Sequence, residues 1–282
     1  MKIKNQWWLC DFTWGAGYVG SDKKFVWNYT EHYFLTDPEE FILDHFPIEP
    51  EWQLTSLNYT IEQFQSWAKF YKHFFIHQLR PLSHRQGVIE TSNGEVEVVF
   101  ETSTALQISC KLTRAAENAK EMSQYCFQYL NGNRAIFQAR LPEVGDYEFT
   151  LFAQTATNDA RKTYDSVASY IIRCQNLVTD IQVFPKTFSS WVQGYILHEP
   201  TRGVLRKTGK TRFSLTAPGV VDMAVCVRGG NGDWLTLSLS NKGIWEGEVE
   251  FGSDAEEATV VVKLEGQKST TFSSILKYSL QE

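Results

Sequence analysis

Leu141-Pro-Glu-Val-Gly145-Asp-Tyr147-Glu-Phe149-Thr-Leu151 decides the fold. A turn at Gly145 feeds a tyrosine, and Tyr147, Phe149 and Leu151 then alternate with polar residues. That alternation has the side-chain period of a half-buried strand. A turn placing Tyr near the start of a late strand resembles a tyrosine corner, whose hydroxyl bonds back to backbone just upstream. Tyrosine corners mark immunoglobulin-like sandwiches. The standard inter-sheet disulfide would put a Cys two residues after the Tyr, and position 149 is Phe. The expectation is an immunoglobulin-like sandwich without that disulfide.

Working outward, Val96, Val98 and Phe100 alternate, as do Leu106, Ile108 and Cys110, and Phe127 and Ala135-Ile-Phe137 continue the pattern. Short strands about ten residues apart imply a β-sandwich over 84–176. Residues 178–282 read as a second, diverged copy. Ala105–Cys110 compares with Val221–Cys226, Arg134–Ala139 with Gly243–Glu248, and Ser169–Cys174 with Leu276–Leu280. The join at Gln175 to Thr179 leaves almost no linker, and the aromatic segment Phe184 to Trp191 suggests a fixed interface between the two. Gly229-Gly-Asn-Gly232 lies between apolar runs and reads as a hairpin turn. Neither it nor Gly15-Ala-Gly17 precedes a helix or carries the Lys-Ser/Thr ending of a phosphate loop. Trp191, Trp234 and Trp245 are read as packing residues rather than a sugar-binding face.

Residues 58–83 read as a helical connector. Thr60 and Gln63 have capping-box spacing, and Ile61, Phe64, Trp67, Ala68, Tyr71 and Phe74 or Phe75 recur at helical spacing toward His77. His73 and His77 are four apart, the spacing of a zinc pair, but no acid or Cys is near them in sequence. They are read as two histidines on an amphipathic connector. Residues 1–57 read as part of an α+β unit. Gln6 to Phe12 and His32 to Leu35 are strand-like. Asp37-Pro-Glu-Glu40 starts a helix that should end near His45, before Pro47 and Pro50.

The balance of 27 basic and 33 acidic residues gives −6, and no Lys/Arg run offsets it, which disfavours a nucleic-acid groove. Five Cys, with no C-x-x-C pair, look like reduced cytosolic thiols rather than a disulfide or zinc framework. Met1 to Gln6 carries no small-residue cleavage site, and no run of about 18 apolar residues exists to span a membrane.

Trp7-Trp-Leu-Cys-Asp11-Phe-Thr-Trp-Gly-Ala-Gly17 resembles the W-x-x-x-D-x-T-W-G-x-G segment of transglutaminase-like cysteine proteins. Three further stretches extend the likeness: Glu31-His-Tyr-Phe-Leu-Thr-Asp-Pro through Asp44-His-Phe-Pro47 with Trp52, the Leu141 to Tyr147 turn, and Phe184 to Trp191 with Leu197, Pro200, Gly203 and Leu205. Together they resemble the kyphoscoliosis peptidase and hillarin group. The resemblance implies a mainly β chain: the C-terminal remnant of an α+β transglutaminase-like domain (1–57), then two immunoglobulin-like β-sandwiches. It implies a cytoplasmic, cytoskeleton-associated protein whose partners are proteins, filamin-like or otherwise cytoskeletal. No cofactor or metal is expected.

In that family the triad follows the chain order Cys, His, Asp, and Asp11 matches the Asp. The Cys and His would fall before Met1. A cysteine nucleophile needs a base, and the base needs a group to fix its tautomer. Asp11 is only the orienting member, and without the other two it should hold the Thr13-Trp14-Gly15 turn through backbone hydrogen bonds. Cys10 is not the family nucleophile, nor His45 the family base. The chain as given is therefore expected to be a non-catalytic scaffold or binding protein. The alternative is the C-terminal section of an active Cys-His-Asp peptidase or acyltransferase.

Overall fold

In a computed structural model describing residues 1–115, 120–156, 163–176, 180–229, 234–266 and 271–282, Tyr147 is fully buried. Its hydroxyl donates to the Glu143 carbonyl at 2.9 Å, which closes the tyrosine corner. Gly145, at φ +140°, supplies a backbone conformation that side chains rarely adopt. The alternation then does its work: Tyr147, Phe149, Leu151 and Ala153 all point into the core of the first sandwich.

That sandwich has two sheets. One runs in the order Cys126–Asn131, Arg134–Arg140, Glu95–Thr102, Leu79–Pro81. The other runs Lys120–Glu121, Leu106–Arg114, Gly145–Thr155, Asp165–Cys174, with both Lys69–Phe70 and Val88–Thr91 on the far side of Asp165–Cys174. Val98, Phe100 and Phe137 from the first sheet meet Leu112, Phe149, Tyr170 and Ile172 from the second in one apolar cluster. All five cysteines are free.

The second sandwich repeats this order strand for strand. One sheet is Ser238–Leu239, Ile244–Glu250, Lys210–Thr216, Ile196–Glu199. The other is Trp234–Thr236, Val220–Arg228, Glu257–Leu264, Ser273–Gln281, with Lys186–Thr187 and the parallel Val204–Arg206 beyond. Its core gathers Phe213, Met223, Val225, Val249, Val260 and Tyr278. Trp245 lies in this core, Trp191 is half-buried between the sandwiches, and Trp234 sits edge-to-face on Phe272 at 4.7 Å. Residues 230–232 of the expected hairpin and 177–179 of the expected join lie outside the described residues.

The connector is where sequence and structure part. A capping box does start a helix at Ile61, with Thr60 and Gln63 exchanging bonds, but it ends at Ser66. The chain then extends. Lys69–Phe70 pairs with Ser169 and Ala168, and Leu79–Pro81 pairs with Thr102 to Phe100. Only Lys72–Ile76 between them is helical again. Residues 58–83 are thus not a purely helical connector: both sheets of the first sandwich take a strand from them. The β-forming Phe and Tyr residues, which share the helical period here, decide the local conformation once sheet edges are available.

Aromatic packing and hydrogen bonds join the sandwiches. Phe127 stacks on Phe184 at 5.4 Å and lies 5.5 Å from Trp191. Phe184 N–H donates to Gln124 O, Gly194 N–H to Leu130 O, and Trp191 Nε1 to Gln128 O. Arg140 lies 4.0 Å over the Phe184 ring and donates to Thr201 O at 2.9 Å and Oγ1 at 3.0 Å, while also holding Glu95. Among the described residues no helix is long and apolar enough to cross a membrane.

Two outcomes follow. Tyr147→Phe is expected to lower stability by about 1 kcal/mol, the scale of a buried hydrogen bond; an unchanged denaturant midpoint would remove the corner's energetic role. Limited proteolysis should cut first in the exposed chain around Ile48 and Leu57, upstream of Ile61. Earlier cutting between the sandwiches would count against a fixed pair.

Candidate functional site: a histidine clamped beside Asp11

Asp11 follows the short Leu9–Cys10 strand, which pairs with Phe34–Thr36. It caps a helix, Phe12–Ala16, so the strand expected to run to Phe12 stops at Cys10. Oδ1 accepts from Thr13 N–H at 2.7 Å and Trp14 N–H at 2.9 Å, so the carboxylate holds the Thr13-Trp14-Gly15 turn. Glycine is required at Gly17: at φ +156° a Cβ would lie 2.1 Å from Val26 O.

The second oxygen of Asp11 goes elsewhere. Oδ2 lies 3.0 Å from His45 Nε2, and the other ring nitrogen, Nδ1, lies 2.6 Å from Asp44 Oδ1. Asp44 Oδ2 in turn accepts from the Tyr33 hydroxyl at 3.2 Å. Phe41 stacks on the imidazole at 4.1 Å, and Trp14 meets it edge-on at 4.9 Å. A neutral imidazole carries one N–H, whereas this one faces a carboxylate at each nitrogen. The geometry therefore selects the imidazolium.

Electrostatics agree. Burial lowers the His45 pKa, but hydrogen bonds to Asp44 and Asp11 and their charges outweigh it, and the net shift is upward. For Asp11, burial raises the pKa, yet the His45 bond and the Trp14 and Thr13 N–H groups bring it below its usual value. Burial and Asp44 raise Tyr33, so its phenol stays protonated. His32 is different. Burial brings it down to about 4, with Asp44 opposing and His45 adding to the fall. Its neutral ring stacks on Phe75 of the first sandwich at 4.1 Å.

A cavity of about 580 Å³ opens beside the clamp, lined by Trp14, Tyr18, Tyr33, Asp44, Tyr71 and His73 among others. His73 Nε2 is 3.7 Å from Asp165, an acid that only the fold brings near; His77 is buried with Nε2 unpartnered. Among the described residues no cluster of three His, Cys, Asp or Glu could hold a metal. That His45, Asp44 and Tyr33 gather at Asp11 is not apparent from local sequence. The signal lay in the Glu31 to Pro47 stretch, but no local spacing links residues 34 apart.

Fold and site together describe an immunoglobulin-like β-sandwich protein with an N-terminal unit built around a clamped histidine. Residues 61–185 match the family model described as KY-like, immunoglobulin-like domain. Over 395 aligned positions the chain is 22% identical to kyphoscoliosis peptidase of Mus musculus, covering 99% of this chain and 58% of that protein. It is 25% identical over 212 positions to hillarin of Drosophila melanogaster, covering 65% of this chain and 26% of that one. It is 22% identical over 212 positions to Lim and transglutaminase domain protein ltd-1 of Caenorhabditis elegans, covering 66% and 29%. The chain is thus related to the kyphoscoliosis peptidase and hillarin group, and it spans less than two thirds of these relatives' lengths.

The clamp sets a pH dependence. A raised folded pKa means that the folded chain binds the proton more tightly than the unfolded one. His45's contribution is complete below the unfolded value of about 6.5 and is lost as pH rises through the folded pKa. Asp11 works at the other end: its contribution is present above about 4 and is lost as pH falls through its depressed pKa. His32, lowered, opposes His45, because its neutral burial destabilises the fold below about 6.5. The difference between wild type and His45→Gln isolates the clamp. That difference in unfolding midpoint should be largest near pH 6 and shrink toward pH 9. A difference constant across that range would refute the imidazolium.

Proposed function

We propose that this chain is a non-catalytic, cytoplasmic binding protein of the cytoskeletal kind, acting through the surfaces of its sandwiches. The occupied Asp11 carboxylate carries the reading. Its imidazole partner, His45, faces a carboxylate at each ring nitrogen, and a general base needs a nitrogen free to take a proton. The carboxylate that matches the family triad accepts from two backbone N–H groups and meets the His45 ring. What supports the partner class is the relation to hillarin and kyphoscoliosis peptidase, from which filamin-like proteins are the first to try.

A second reading has one observation in its favour: the relative named a peptidase is matched over only 58% of its length. On that reading Asp11 belongs to a triad whose Cys and His come from further sequence.

Both can be tested on the same material. The 282-residue chain is expected to show neither peptidase nor acyl-transfer turnover, and Asp11→Ala to lower its unfolding midpoint without altering that blank. The same chain should bind a purified filamin immunoglobulin-repeat segment. Thiol-dependent turnover lost on Cys10→Ala would overturn the scaffold reading.

A further inference from the structure

The Leu106–Arg114 strand is paired along its full length with Gly145–Thr155, from Leu106↔Thr155 to Arg114↔Tyr147. Its other edge is covered only at one end. Thr113 and Arg114 pair with Glu121 and Lys120, and Met122 N–H donates to Leu112 O at 2.8 Å. In an antiparallel ladder successive residues turn their N–H and C=O to opposite sides. Leu112 faces the outer edge, so Leu106, Ile108 and Cys110 face it too. Among the described residues no backbone hydrogen bond meets them there.

A groove of about 430 Å³ runs beside this open stretch. Leu106 and Ile108 form one side, Tyr129 another, and Phe188, Trp191 and Val192 of the second sandwich close it, and among the described residues no charged side chain lines it. The groove continues the interface between the sandwiches. On its far wall the Gln128 and Leu130 carbonyls already accept from Trp191 and Gly194. The second sandwich shows what belongs on such an edge. Its corresponding strand, Val220–Arg228, is covered by Trp234–Thr236 over three residue pairs, and Leu237 N–H reaches on to Met223 O. The covering residues, Trp234-Leu-Thr-Leu237, are uncharged and alternating, and the chain then crosses to the other sheet at Ser238–Leu239. In the first sandwich the cover among the described residues is Lys120–Glu121, with Met122 N–H reaching on to Leu112 O.

We propose that the Leu106 to Cys110 edge docks an extended, uncharged peptide segment of a partner protein, which joins the sheet as an added strand with alternate apolar side chains in the groove. Backbone groups left unpaired at a sheet edge supply the affinity in this mode, and the groove supplies the selection. This names the surface for the binding role proposed above and rests on that reading for its partner, but the two can fail separately.

The probe is a labelled peptide, Trp-Leu-Thr-Leu-Ser-Leu flanked by lysines, titrated with the full chain by fluorescence anisotropy. Binding is expected below about 1 mM. N-methylation at one alternate set of its amides should weaken binding at least about tenfold, and at the other set by no more than about twofold, because a strand offers only alternate amides to its neighbour. Hydrogen exchange at the Ile108 amide should slow in the complex. Val192→Glu, at a half-exposed position of the groove, should abolish binding while leaving the unfolding midpoint in place. No binding at 1 mM, equal effects of the two N-methylated sets, or unchanged exchange at Ile108 would each overturn the proposal. Filamin binding by the full chain without peptide binding would remove this surface and leave the scaffold. Peptide binding without filamin binding would keep the edge and remove that partner.

Discussion

A strand at the end of a sheet carries a row of N–H and C=O groups that must be met by something. The arrangement of this chain follows from how its edges are met. Asp165–Cys174 is covered twice, by antiparallel Lys69–Phe70 and by parallel Val88–Thr91. The second sandwich solves the same edge in the same way, with Lys186–Thr187 and Val204–Arg206. Among the described residues the Cys126–Asn131 strand has no further strand on its outer side. Its edge carbonyls are taken by the second sandwich, through Trp191 and Gly194, and Gln124 just before it accepts from Phe184. The interdomain interface is therefore an edge solution as much as an apolar one, and the aromatics of Phe184 to Trp191 sit where that edge needs donors.

Legibility in the sequence tracked how local each feature is. Gly145, Tyr147 and Glu143 lie within five residues, so the corner could be read from spacing, and the hydroxyl falls on the expected backbone. Period two gave the core strands because a strand half-buried in a sandwich cannot hide its pattern. The helix after Thr60 was legible through its cap and illegible in its length. Trp67, Tyr71 and Phe74 or Phe75 fit a helical period, and what turns Lys69–Phe70 into a strand is Asp165–Cys174, about a hundred residues away. Tertiary pairing of this kind leaves no local trace. The repeat was legible as a ladder of similar segments, and strand order places those segments at equivalent positions in both sandwiches.

At the N-terminal unit, the same carboxylate serves two geometries. One oxygen of Asp11 satisfies the first donors of a helix, a role that needs only neighbouring residues. The other reaches His45, which arrives through the Pro38–Phe41 helix and the turn after it, where His45 N–H donates to Phe41 O. The Asp37 cap, whose side chain accepts from Glu39 N–H, fixes where that helix begins and so where His45 falls. Tyr33 ties the far carboxylate back to the strand pair, and His32, one residue earlier, lays its neutral ring on Phe75 of the first sandwich.

Two adjacent residues thus sit on opposite sides of a proton boundary. Tyr33 helps hold a charged histidine on one side, while His32 is kept uncharged on the other by burial against an aromatic ring. Tyr33 and Asp44 line the cavity together with Trp14, Tyr18 and Tyr71; the neutral ring of His32 stacks on Phe75. A triad Asp works by orienting a histidine that still has a nitrogen to use. Here the second carboxylate, Asp44, occupies that nitrogen, and it is this residue, rather than Asp11, that separates a structural clamp from an orienting pair. On the scaffold reading, then, Asp44 is what keeps the second ring nitrogen of His45 occupied, and removing its carboxylate would free that nitrogen while Asp11 still held the other.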